Sequence, residues 1–109
     1  MSDDPRERQL GENESTFRQV NERIEEIAAG VSFAPEFVCE CGRTDCAERL
    51  RVPLDEYEAV RKHPARFIVA SGHERPAVER VIDERQGWLV VEKTGEAGEI
   101  ASEEDPRDP

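Results

Sequence analysis

Apolar residues recur at Phe17, Val20, Ile24, Ile27 and Val31, with spacings of three, four, three and four. That interval places all five on one stripe of a helix. Thr16 followed by Gln19 has the form of a capping box and Gly30 is a natural stop, so the pattern predicts a helix over residues 17–29. Asn21, Glu22, Arg23, Glu25 and Glu26 are then expected to face water. The stripe is narrow and has coiled-coil spacing, but it covers fewer than two heptads, too few for a free-standing coiled coil. It is expected to lie either on the protein's own sheet or against a partner, through Phe17, Val20, Ile24 and Ile27.

Beyond Pro35 the period changes. Residues 36–41 and 46–52 read as a hairpin around a turn at Gly42–Asp45, with Leu50 and Val52 facing inward between Arg49 and Arg51. Asp55 with Glu58 resembles a capping-box pair, and Arg61, Lys62 and His63 suit a helix C-terminus, so residues 55–63 are expected to form a short helix with Tyr57 and Val60 inward. Residues 67–70 form a compact apolar strand that ends at Ser71-Gly72-His73. Residues 78–83 and 88–92 read as a second hairpin, although the first of these segments has a helical alternative after Pro76. The expected fold is α+β: a small antiparallel sheet of two hairpins plus a strand, with an N-terminal amphipathic helix and one short helix, stapled by a metal site.

Composition refines this picture. The chain has 109 residues, a size that suits one core. Its net charge of -11 is concentrated at the ends: residues 1–14 carry -3 and residues 96–109 carry -5. Segments so acidic cannot bury enough apolar surface to offset their ordering entropy, so 1–14 and 96–109 are expected as mobile tails around a domain at 15–95. A pI near 4.6 without a basic block argues against nucleic acid as a partner. With no long apolar run and a polar, acidic start, no membrane segment or export signal is expected, and the reading is cytoplasmic.

The three cysteines fall within eight residues, in the order Cys39-Glu40-Cys41-Gly42-Arg43-Thr44-Asp45-Cys46. In an extended strand Cys39 and Cys41 point to the same side, and a turn at Gly42 brings Cys46 back toward them. Three thiolates converging on one point suit Zn2+, which takes tetrahedral coordination and needs a fourth donor. A disulfide is disfavoured by the odd count, a reducing compartment and the separation of Cys39 from Cys41. An iron–sulfur cluster stays open with three cysteines and a histidine, although the usual set is four cysteines, and a thioredoxin-type centre would want a CxxC spacing. Unliganded structural thiols are the plain alternative. His63, His73 and Asp45 are candidates for the fourth ligand, with His73 favoured because it follows a rigid strand and a glycine. Arg43, Arg49 and backbone N–H groups of the Gly42–Asp45 turn are expected to offset the site's negative charge.

The segments FRQVNERIEEI, FVCECGRTDCAE, LDEYEAVRKHPARFIVASGHE and WLVVEKTGEAGEIA resemble a group of small uncharacterised bacterial proteins. These combine an FRxVNERI helix, a CECGxxxC segment and a GH after a strand. The resemblance implies that Cys39, Cys41, Cys46 and His73 belong to one site, and implies no activity. Two classes of function follow. One is a non-catalytic zinc-binding module for protein interaction or regulation. The other is a zinc-dependent hydrolase with Glu74 or Glu40 as general base.

Overall fold

The computed structural model describes residues 5–28 and 35–105. Three helices and five strands follow in the order α1 (Pro5–Ala28), β1 (Glu36–Val38), β2 (Arg49–Arg51), α2 (Leu54–Arg61), β3 (Arg66–Ala70), β4 (Glu79–Glu84), β5 (Trp88–Lys93) and α3 (Gly95–Glu103). This is the expected α+β class. β1 and β2 pair antiparallel with Phe37 opposite Leu50, and both residues are buried. A second antiparallel sheet has the order β3-β5-β4, so the apolar β5 lies between the other two strands. Residues 78–83 contribute to a strand, and the ladder between β4 and β5 is interrupted at Ile82 by a register shift. The two hairpins do not share a ladder; Glu40 N–H donates to Ile68 O at 2.9 Å and links the first hairpin to the outer edge of β3.

The core lies where the sheets and α2 meet. Phe37 of β1 stacks on Tyr57 of α2 with centroids 4.3 Å apart, and Val52, Ile68, Val69 and Val91 are fully enclosed. α2 begins after Pro53, whose fixed φ suits a helix entry, and Asp55 sits in the first turn instead of capping it. α3 presses closely on the end of β5: a Cβ at Gly98 would stand 2.8 Å from Lys93 O.

α1 departs from the expected pattern in length and in orientation. It starts at Pro5, and the face it buries is Glu14, Arg18, Asn21 and Ala28. Phe17 and Ile24 are half-buried at the margin, whereas Val20 is 41 % and Ile27 70 % exposed. Val31 and Gly30 lie outside the described residues. The surface that receives α1 is itself polar, and this sets the rotation. Arg18 donates to Pro64 O at 2.6 Å and Ala101 O at 2.8 Å and lies over the Phe67 ring at 4.3 Å. Glu14 meets Lys93 and Arg75, and Glu22 meets Arg61. Turning the apolar stripe inward would strand these buried polar groups, each at a cost of about 1–3 kcal/mol.

The acidic ends also contribute ordered structure. Glu14, from the segment expected as a tail, is buried against Lys93, which also binds Glu79. From the other end, Ala101 is buried and Asp105 pairs with the enclosed Arg61. Counting charge along the chain treats every acid as solvated; several here are neutralised by buried cations instead. No helix among the described residues is long and apolar enough to cross a membrane.

Candidate metal centre

The ligand-bearing segment follows β1. Cys39 N–H bonds Glu48 O at 3.2 Å, which extends the hairpin by one step and fixes the direction of the Cys39 side chain. The chain then turns at Gly42, whose φ of 83° lies in the left-handed region that L side chains rarely adopt. Cys46 N–H closes onto Arg43 O at 3.2 Å, bringing Cys46 back toward its two predecessors. The fourth residue arrives from the other sheet. β3 ends at Ala70, Gly72 (φ 90°) reverses the chain, and His73 N–H bonds Ala70 O at 2.9 Å.

One ligand atom from each of Cys39, Cys41, Cys46 and His73 lies within 4.8 Å of the other three. His73 Nδ1 is 3.5 Å from Cys46 Sγ and 3.7 Å from Cys39 Sγ. A tetrahedral ion with metal–sulfur bonds of about 2.3 Å and a metal–nitrogen bond of about 2.0–2.1 Å has sulfur–nitrogen edges of about 3.5–3.6 Å. The cluster therefore has the size and donor set of a metal site. Cys39 and Cys41 are buried; Cys46 and His73 are half-buried and form its outer side. His63, at the end of α2, and Asp45, in the turn, are exposed and stand outside this cluster.

Backbone N–H groups aim at the sulfurs. Ala70 N–H donates to Cys39 Sγ at 3.1 Å, and the Arg43 N–H donates to Cys41. The Arg43 and Arg49 side chains are exposed, so the main chain supplies this support. Burial pushes the Cys39 and Cys41 thiols up from their ordinary value. Without a cation these sulfurs hold their protons at neutral pH, and a bound dication would displace them.

Glu40 alternates with its cysteine neighbours and points the other way. It is fully buried, accepting from Asn21 Nδ2 at 2.7 Å, from Tyr57 O–H at 3.4 Å and from Ile68 N–H at 3.0 Å. Burial raises its pKa, opposed by the Asn21 and Ile68 donors and by the Arg18 and Arg61 cations. Its carboxylate oxygens are thus engaged by α1, α2 and β3. Glu74 is half-buried, with Oε1 buried and lacking a hydrogen-bond partner among the described residues.

Two residues that support the site were not anticipated. Asn21 accepts from Val38 N–H at 2.8 Å and donates to Val38 O at 2.8 Å, besides its bond to Glu40. Asn13 Nδ2 donates to Gly42 O at 2.8 Å. The signal available in the sequence was propensity: asparagine is a poor interior helix residue, and two at a separation of eight share a face. Comparison of the chain with known protein families, curated proteins and solved structures found no match.

Proposed function

We propose that this protein binds one zinc ion through Cys39, Cys41, Cys46 and His73, and that the ion is structural. The observation that carries this reading is the convergence of three thiols and one imidazole nitrogen within 4.8 Å, drawn from two separate sheets. Three sulfurs and one nitrogen match zinc's preference for soft donors in a tetrahedron, and four protein donors leave no position for a reacting water. The zinc would join the first hairpin to the end of β3, tying together two sheets that share no ladder. On this reading the protein is a cytoplasmic interaction module. Free thiols suit a reducing compartment, and the exposed Val20 and Ile27, flanked by Phe17 and Ile24, offer α1 as the contact surface for a protein partner. The likeness to proteins with a CECGxxxC segment and a GH would give them the same ligand set.

The test is elemental analysis of the full chain purified from zinc-replete cells, with zinc affinity measured by competition against a chelator. One zinc per chain is expected. His73→Ala should weaken affinity by more than the roughly 10–100-fold typical of residues that only support a ligand. Parental affinity in that variant would remove His73 from the ligand set, and a metal-free, folded parent would remove the proposal.

A further inference from the structure

We infer that docking of α1 is coupled to the metal: part of the helix's hold on the domain runs through residues adjacent to the ligands, and loss of the ion loosens it while the three-stranded sheet persists. The inference rests on the zinc reading above and adds a regulated element to it.

The contacts that carry it are specific. Asn21 binds both backbone groups of Val38, next to Cys39, and the carboxylate of Glu40, between Cys39 and Cys41. Asn13 binds the carbonyl of Gly42, next to Cys41. Glu14 binds Arg75, two residues beyond His73. Helix α1 therefore touches the chain immediately beside two of the four ligands and two residues beyond a third. The Asn21 amide occupies the edge of β1 as a neighbouring strand would, satisfying a donor and an acceptor together.

The character of the interface makes this coupling sharp. An apolar helix face tolerates small shifts of its partner, because burial of area is non-directional. The docked face of α1 is mainly polar, with Glu14, Arg18 and Asn21 enclosed alongside the small Ala28, and hydrogen bonds fail beyond a few tenths of an ångström or at poor angles. If the ligand loop relaxes when its ion leaves, Asn13 loses its bond to Gly42 O, and Asn21, which is fully buried, is left with unpaired amide groups. By contrast β3 and β5 are joined over five residue pairs, Arg66–Glu92 through Ala70–Trp88, and enclose Ile68, Val69 and Val91. They do not depend on the ion for their ladder. Coupling of this kind is reciprocal: a helix that docks better on the metal-loaded loop must also raise the loop's affinity for metal.

Hydrogen exchange on the full chain, zinc-loaded and chelator-stripped under reducing conditions, reads the coupling directly. Elemental analysis of the same samples reports the ion independently. Amides of residues 13–28 are expected to exchange at least about tenfold faster without zinc, while those of Val69, Val90 and Val91 stay protected. Asn21→Ala should weaken zinc binding by about 10–100-fold and Asn13→Ala by less, with Gln19→Ala, on the exposed side of the helix, unchanged. Equal protection of α1 in samples shown to be loaded and stripped would overturn the coupling and leave the zinc assignment standing. Loss of sheet protection together with α1 would also overturn it, since release would then be global unfolding. A loaded sample found to hold no metal would end both readings.

Discussion

Glu92 shows how a single residue joins three strands. It stands in the central strand opposite Arg66 on one side and Arg80 on the other, and accepts from both, at 2.9 and 2.8 Å. The hydrogen bonds from Arg66 and Arg80 hold its carboxyl below its ordinary value of 4.5. A carboxyl lowered by folding adds stability that is fully present above its unfolded pKa and lost as pH falls through the folded one. The side chain is 22 % exposed, so the gain is modest, about 1 kcal/mol or less. Glu92→Gln should therefore be less stable than the parent by that amount at pH 7, in denaturant unfolding. The difference should shrink steadily below pH 4.5; a gap independent of pH would mean that packing, not charge, is what the substitution removes.

Close approach governs at the scale of elements. Helix α3 rests on the last residue of β5 at Gly98, where a side chain would meet the Lys93 carbonyl at 2.8 Å, a backbone atom that cannot swing aside. Although alanine favours a helix more than glycine by up to about 1 kcal/mol, Gly98→Ala should destabilise the protein by about 1–3 kcal/mol by levering α3 off the strand. A rise in melting temperature would instead show that α3 is free to move. α1 illustrates what periodicity can and cannot reveal. The spacing of Phe17, Val20, Ile24 and Ile27 identified a helix correctly, because any regular stripe needs the helical period. Packing of the whole stripe on the protein's own sheet fails at Val20 and Ile27, because that expectation assumes an apolar receiving surface, and here Lys93, Arg75, Val38 and Glu40 supply a polar one. Asn21 and Glu22, expected in water, are used inside for the same reason. Strands were more legible: β2 buries Leu50 and exposes Arg49 and Arg51, and β5 carries the apolar run of a strand with neighbours on both sides.

At the scale of the whole molecule, the described residues form two small sheets and three helices held largely by polar contacts. Arg18, Arg61 and Lys93 are enclosed and reach carbonyls or carboxylates that lie far away in sequence. A net charge of -11 said little about this, because composition does not tell which acids will meet a cation. The cysteine cluster was legible because its chemistry is local: strand alternation and one turn suffice to gather three sulfurs. His73 was less so, since its place beside them depends on how β3 lies against the first hairpin, a relation set by Glu40 and Ile68 across 28 residues. On the proposed reading, a bound cation would be the link between the two sheets. X-ray absorption at the zinc edge of the purified full chain tests that claim most directly. The expected first shell is three sulfurs at about 2.3 Å and one nitrogen at about 2.0–2.1 Å, with no exchangeable oxygen. A shell dominated by oxygen and nitrogen, or one with an open water position, would contradict it.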